Sequence, residues 1–463
     1  MARAKKEAAL TPEERLQAAL VPDWEWPYKL PENWCWVRLY SLAHIISKGT
    51  TPKGGKDAYV EKGIRFLRIE NINEDGSISH ENIKHITEEM HTGFLRRSIL
   101  CKDDILISIA GTLGKTGIVG EADLPLNTNQ AISFVRLIRG NLLPQYIKMS
   151  IDNPKTQDML ISQTKVTSIP NLTLEIIGNC AIPLAPLAEQ QRIVDRIESL
   201  FAKLDEAKEK AQAVVDSFET RKAAILHKAF TGELTAKWRE EHGVRMESWE
   251  KKSVGELCIS LKYGTAKKSD ASGNVVVLRM GNLQQGEIDW SDLAYSNDPD
   301  DIERYKLFPG DVLFNRTNSA ALVGKTAIYR GEYPAIYAGY LIKLDYDHDK
   351  IIGDYLNYAL NTLDAKKYCN SVKTDGVNQS NINAKKIGAY SFNVPSIPEQ
   401  EKIVSAIQKL LSKEQQTKEA AEIVLDQIEL MKKSILARAF RGELGTNDPS
   451  EESAVELLKR TIL

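Results

Sequence analysis

Residues 189–201 read EQQRIVDRIESLF, and residues 399–411 read EQEKIVSAIQKLL. Further along, ILHKAFTGEL (225–234) is matched by ILARAFRGEL (435–444). Glu189-Gln190 corresponds to Glu399-Gln400, Ile193-Val194 to Ile403-Val404, and Ala229-Phe230 to Ala439-Phe440. Gly232-Glu233-Leu234 then corresponds to Gly442-Glu443-Leu444, at one constant offset without a gap. A long segment has been duplicated and its length kept.

In the first copy Ile193, Ile197, Leu200, Leu204, Ala207, Ala211, Val214, Phe218 and Ile225 recur at alternating four- and three-residue steps, interrupted once by Arg221. That is the seam of a coiled coil, narrower than the apolar stripe of an ordinary globular helix. The second copy carries Ile403, Ile407, Leu410, Ala421, Val424, Ile428, Met431 and Ile435, with polar Glu414 and Thr417 in its first half. Pro186 and Pro398 lie just upstream, and Gly232 and Gly442 suit a C-terminal stop. A helix of about 40 residues spans ~60 Å. Each helix alone leaves its seam in water, so each needs a partner. Antiparallel pairing of the two copies is the economical solution, because the intervening segment then hangs at one end.

The chain has 463 residues, 42% hydrophobic and 27% charged, with a formal net charge of −2. That length allows two or three domains. Bulk charge gives no support to a nucleic-acid partner, so any basic surface must be assembled by folding or by another subunit. No apolar run approaches the ~20 residues that cross a bilayer. MARAKKEAAL at the start has charges without a following apolar stretch, unlike a signal peptide. The five cysteines are scattered and odd in number, which predicts a reducing, cytoplasmic location.

The reading is α+β, with boundaries in order. Residues 1–31 form an extension with a short helix from Thr11-Pro12-Glu13-Glu14 to near Leu20 and a Trp- and Pro-rich lead-in. Residues 32–188 form a first β-rich head, with strands at 64–69, 104–109 and 131–138 and a helix from Pro144 towards Ile161. The first long helix is 189–234. A second head, 246–398, repeats the plan loosely: Trp34 recurs as Trp249, Gly49-Thr50 as Gly264-Thr265, Leu67-Arg68 as Leu278-Arg279, and Asn71 as Asn282. Gly114-Lys115-Thr116 recurs as Gly324-Lys325-Thr326, and Tyr146 as Tyr355. The second long helix is 399–444, and 445–463 is a tail with a short packing helix. Two similar scaffold segments carry two diverged heads, an arrangement suited to reading two different things at a fixed separation.

No catalytic motif stands out. GTLGKT (111–116) lacks the glycine that a phosphate loop requires at Ile109, and its continuation reads as strand, so a strand–turn–strand presenting Lys115 and Lys325 is expected. His80, His85 and His91 have no cysteine partner at metal-ligand spacing. Asn153-Pro154 is followed by Lys155 and not by the proline and aromatic of amino-methyltransferases.

What recurs is polar and loop-borne. In the first head these are Thr50, Thr51, Lys53, Arg68, Asn71, Asn73, Lys115, Thr116, Asn129, Gln130 and Lys165. In the second they are Thr265, Lys267, Lys268, Arg279, Asn282, Asn315, Arg316, Asn318, Lys325, Lys373 and Gln379. Arg, Lys, Asn and Gln make the contacts to base edges in the major groove, and Thr serves phosphates. The same residue types also populate ordinary turns.

PLAPLAEQQRIVDRIESLF (183–201), AAILHKAFTGELTAKWR (223–239), SIPEQEKIVSAIQKLL (396–411), SILARAFRGEL (434–444) and LPENWCWVRL (30–39) together resemble the specificity (S) subunit of Type I restriction-modification systems. The resemblance covers nearly the whole chain, and LTAKWR is similar to the enterobacterial-type branch. It implies two target recognition domains, each reading one half of a bipartite site in double-stranded DNA, joined by an antiparallel coiled coil in a pseudo-two-fold repeat. It also implies docking of two modification (methyltransferase) subunits and two restriction (ATP-dependent endonuclease/translocase) subunits. S-adenosylmethionine, ATP and Mg²⁺ then belong to those partners, and this chain is non-catalytic. The extension through Trp26 is longer than in some members and is expected to pack beside the end of the second helix. Two rival readings are an enzyme in its own right and a DNA-independent coiled-coil scaffold.

Overall fold

The computed structural model describes residues 11–52, 54–164, 171–377 and 379–463. The chain forms two compact units. One runs up to Lys210 and is completed by Val424–Leu463; the other is Ala211–Ile423. Each unit thus contains one head, the start of one long helix and the end of the other.

In the first unit, strands Ala43–Lys48, Ile132–Leu137, Ile105–Ser108 and Thr116–Ile118 form an antiparallel sheet in that order. A second sheet is ordered Lys84–Ile86, Ile64–Leu67, Leu126–Thr128, Ile99–Leu100, with its two middle strands parallel. Ile105, Leu106 and Ile107 are all fully buried, which explains why this strand reads as a continuous apolar run and not as an alternating one. The helix expected from Pro144 to Ile161 is broken into Pro144–Asp152 and Pro154–Ser162. Asn153 caps the second piece, and Pro154 takes the first helical position, where a missing N–H costs nothing.

The second unit repeats this plan. Its sheet runs Cys258–Tyr263, Leu341–Tyr346, Val312–Asn315, Thr326–Ile328, beside Tyr295–Ser296, Val275–Leu278 and Ala335–Tyr337, of which the last two are parallel. A two-stranded pair closes the base of each head: Cys35–Arg38 with Ala181–Leu184, and Glu250–Ser253 with Ser391–Val394.

The long helices begin at Leu187 and Ile397, slightly earlier than expected, and Pro398 lies inside the first turn. The second is continuous over Ile397–Ala439. The first is not one rod: it divides at Ser217 into Leu187–Asp216 and Phe218–Phe230. The Ser217 hydroxyl donates to the Ala213 carbonyl at 2.5 Å, and Arg221 donates to the Val214 carbonyl at 3.0 Å. That carbonyl is the one a regular helix would offer to the Phe218 amide, so side-chain donors displace the ladder there. Gly232 (φ 81°) and Gly442 (φ 74°) end the paired segments in the left-handed conformation.

Pairing is antiparallel in both units. In the first, Lys432 meets Asp205 at 2.5 Å and Glu429 meets Lys208 at 2.8 Å. In the second, Arg221 meets Glu414 at 2.5 Å. Arg221 and Glu414, polar interruptions of the two seams, are therefore each other's partners. A shifted register would break this ion pair, which disfavours it.

Ile193, Ile197, Ile403, Ile407 and Ile428 are buried, and Leu200, Leu204 and Leu410 are half-buried. The expected seam fails in one stretch. Val424 and Met431 are 40% and 49% exposed, and the inward places go to Leu425 and Lys432. Lys432 lies 5.2 Å from the Phe201 ring while its amine reaches Asp205, so its aliphatic stem substitutes for an apolar side chain.

Thr11 caps the helix Pro12–Ala19 through a capping box with Glu14. The tail helix Ala454–Ile462 buries Ala454, Leu457 and Leu458 in the core of the first head, together with Ala19 and Phe440. Among the described residues no helix is long and apolar enough to cross a membrane.

Candidate nucleic-acid interface

Each head is held on its helix by the Glu-Gln pair that opens the repeat. Glu189 and Glu399 are fully buried, and each accepts a hydrogen bond from an indole: Trp34 at 2.7 Å and Trp249 at 2.9 Å. Gln190 accepts from the Leu143 amide and Gln400 from the Ile352 amide, and both donate back to the turn before the helix. Glu189 also receives Asn447 at 3.0 Å, and Glu399 receives Thr235 and Arg239, each at 2.7 Å. The start of one helix is thereby tied to the residues just past the end of the other. The duplicated Glu-Gln was visible in the sequence; its role was not, because the partners of each glutamate lie more than a hundred residues away. Burial pushes the Glu189 carboxyl above its ordinary value, against the donors that favour its charge. The folded state then holds that proton more tightly than the unfolded one. Its contribution to stability is present in acid and is lost as pH rises through the folded value.

The loops bearing the expected site residues gather at one end of the sheets in each head. In the first, the Thr50 amide donates to the Thr128 carbonyl (3.2 Å) and the Asn129 amide to Leu67 (3.3 Å). A Cβ on Gly49 would sit 2.1 Å from the Asn129 carbonyl oxygen, so only glycine allows this approach. The second head repeats the junction. The Thr265 amide donates to Tyr337, the Ala338 amide to Leu278, and a Cβ on Gly264 would meet the Tyr337 oxygen at 2.1 Å. Thr50, Thr51, Arg68, Lys115, Asn129 and Gln130 thus belong to one loop cluster. Thr51 and Gln130 are exposed, and the others are partly so. GTLGKT forms the expected strand–turn–strand, with Gly114 at φ 77° and strand Thr116–Ile118 following. Lys53 and Lys165 lie outside the described residues, although Leu172, just past the latter, donates its amide to Ile109 at this same end.

In the second head Arg316 is the centre. Its guanidinium lies 4.7 Å above the Tyr263 ring and donates to the Gly339 carbonyl at 3.3 Å. The strands adjoining Lys373 and Gln379 lie beside it. Thr317–Asn318, Ser380–Asn381 and Thr374–Asp375 form a small three-stranded sheet, and the Ile382 amide donates to Arg316. Lys268 and Gln379 are exposed. Lys267 is paired with Asp298 and Asp301, and Arg279 with Asp292. Lys325 donates to Gln284 at 2.7 Å. Tyr340, 49% exposed and next in the chain to Gly339, was missed in the sequence. No spacing signal links it to Arg316, whose amide donates to its carbonyl.

Five expected contact residues are corrected by burial. Asn71 and Asn282 cap turns, accepting from the amides of Arg68 (3.1 Å) and Arg279 (2.8 Å). Thr116 donates to Asp152 and Thr265 to Asp301. Asn315 accepts from the Thr317 amide at 3.2 Å. All five are at most 5% exposed, and their side chains are spent on shaping the loops. Asn73 is exposed but sits apart, in a turn bonded to Ser77 against the edge strand Thr116–Ile118. Asn282→Ala is expected to cost about 1–3 kcal/mol of stability, because the Asp289 and Asp292 carbonyls lose its amide. The sequence recognised should stay the same. Chemical unfolding together with a binding assay checks both halves.

The Nε atoms of Arg68 and Arg316 are buried and find no acceptor among the described residues. The remaining nitrogens of each fork hold it at the loop end, Arg68 against Glu70 at 2.7 Å. Of the histidines, His91 is buried against Asn127 and His80 pairs with Asp123. Among the described residues no group of three or more His, Cys, Asp or Glu side chains is placed to hold a metal ion.

A family model described as the Type I restriction modification DNA specificity domain matches residues 31–215 and again 246–424. The StySPI specificity subunit of Salmonella potsdam is 24% identical over 430 residues, 90% of each chain. The EcoKI specificity subunit of Escherichia coli K12 is 24% identical over 434 residues, again 90% of each. Among solved structures, the HsdS subunit from Thermoanaerobacter tengcongensis aligns with a TM-score of 0.60 at 21% identity, over 91% of this chain and all of that one. A chain from a structure of complex assembly and conformational transition in the type I R-M system gives 0.67 at 19% identity, over 90% of this chain and all of that one. These two share its fold. One domain model matching twice, each time across a head and its long helix, shows that the chain belongs to the Type I restriction-modification DNA specificity family, as a specificity subunit.

Proposed function

We propose that each head reads one half of a bipartite DNA site and that the long helices set the gap between the halves. The observation that carries this reading is the pairing of like and unlike. The indole bond to Glu189 and Glu399 and the backbone bonds of Gln190 and Gln400 repeat in both units, whereas the loops at the sheet ends carry different exposed residues. Selection for two different half-sites on one scaffold produces that pattern. Partly exposed arginine forks suit bidentate contacts to guanine, and the exposed Asn and Gln suit adenine.

The paired helices also dock two modification (methyltransferase) subunits, and in the full assembly two restriction subunits join them. S-adenosylmethionine, ATP and Mg²⁺ chemistry lies in those partners, and this chain contributes no reacting group. DNA binding by a chain of net charge −2 then relies on partner subunits for much of the phosphate contact.

The test is to co-express the chain with the methyltransferase subunit and map methylated adenines across the host genome. Two short defined halves around a fixed gap are expected, with half-site centres about one helical turn, ~10 bp, apart if both heads address one side of the duplex. A continuous motif, or methylation independent of this chain, overturns the reading. Lengthening both long helices by the same few residues should lengthen the gap and leave both half-sites unchanged. A changed half-site with an unchanged gap refutes the spacing role.

A further inference from the structure

In the first unit the ring of Tyr28, from the lead-in before the first head, is enclosed on four sides. Its hydroxyl donates to the Phe440 carbonyl (3.1 Å) and accepts from Asn153 (3.2 Å). The ring packs edge-on to Trp36, with centroids 5.0 Å apart, and lies 5.6 Å from the Arg441 guanidinium.

The internal repeat gives each of these four residues a counterpart in the second unit. Phe440 and Arg441 correspond to Phe230 and Thr231. Asn153, which caps the helix Pro154–Ser162, corresponds to Thr362, which caps Leu363–Val372. Trp36, opposite Pro183 in the base pair of strands, corresponds to Lys251, opposite Asn393. All four counterparts line a single groove of about 820 Å³, with Tyr390 and Phe392 also among its walls. The second unit's own lead-in does not fill it. That stretch forms the helix Ala236–His242, which turns back through Arg239 to Glu399 and Gly232, and none of its residues lines the groove.

We infer that this groove is a docking site for an extended segment of another polypeptide that presents a tyrosine, seated as Tyr28 is seated in the first unit. The chemistry is matched to that occupant. Aromatic walls take the ring, and the Phe230 carbonyl is among the last of its helix, the class of acceptor that a helix leaves unpaired and that Tyr28 satisfies at Phe440. The inference goes beyond DNA reading and does not depend on it. A second copy of this chain is the less fitting occupant, because its Tyr28 is already engaged in its own first unit.

The test uses the full chain and a fluorescein-labelled peptide of residues Val21–Pro31 as the probe, followed by anisotropy. Saturable binding is expected. Tyr28→Ala in the peptide should weaken it about thirtyfold, the scale of an interface aromatic anchor. Ala224→Arg in the chain, at an exposed helix position lining the groove, should weaken it comparably. No saturable binding, or binding indifferent to the peptide's tyrosine, overturns the inference. Binding indifferent to Ala224→Arg also overturns it, since the peptide would then be exchanging into the first unit. Dimerisation of the full chain that Ala224→Arg abolishes would make a second copy the occupant and overturn the assignment to a different polypeptide.

Discussion

Glu399→Ala is expected to destabilise the second unit by about 3–5 kcal/mol, the cost of stranding one member of a buried ion pair. Arg239 is left with a 10% exposed side chain and no counter-charge. Thr235 and the Trp249 indole lose their acceptor at the same time. The three donors come from the turn after the first helix, the helix Ala236–His242 and the residue just before the first strand of the second head, so one substitution loosens three elements. Denaturant unfolding, with hydrogen exchange over residues 231–253, measures it. A change within about 0.5 kcal/mol, the ordinary range of a surface substitution, would show that the carboxylate is not structural. Glu189→Ala should cost less, about 1–3 kcal/mol, since its direct donors Trp34, Asn447 and Thr446 are neutral. The two sockets look alike in sequence, and the difference comes from Arg239, which has Pro449 as its counterpart in the other copy.

If the second head reads one half-site as proposed, Arg316→Ala is expected to weaken binding to the native target by about 1–3 kcal/mol, about 5- to 150-fold, and to relax specificity in that half-site only. Its guanidinium is oriented by the Tyr263 ring and the Gly339 carbonyl, so the fork is pre-organised before any ligand arrives. Arg316→Lys should not rescue, because an ammonium keeps the charge but neither the plane nor the fork. Binding to target and scrambled duplexes at several salt concentrations separates the outcomes. Uniform weakening on both, with a shallower salt slope, would make Arg316 a phosphate contact. No change on either would support a scaffold that does not read DNA.

Much of the organisation was legible because it is periodic or duplicated. The coiled-coil seam, its antiparallel sense, the two heads of one plan and the glycine stops all follow from spacing. Spacing depends only on the geometry of a helix and the length of the chain. Val424 and Met431 escaped it because either of two adjacent rows satisfies an alternating four–three step there. The choice fell to Lys432, whose charge found Asp205 and whose stem found Phe201.

The candidate interface was legible only as a set of residue types. Asn71 and Asn129 are indistinguishable by composition, yet the first is consumed by the Arg68 amide and the Glu81 carbonyl, while the second sits half-exposed at the loop end. The fate of a polar side chain is decided by which distant backbone groups need it, because buried donors and acceptors must be paired.

By itself the sequence determined that there are two copies of a helix–head pair, that the helices need each other, and that Arg221 and Glu414 interrupt their seams. The tertiary structure alone decided that those two interruptions are partners and that each compact unit takes the start of one helix and the end of the other. It also decided that Tyr28 fills in one unit a groove left open in the second. These are contacts between residues far apart in the chain, and side-chain chemistry at one position carries no record of which distant surface closes over it.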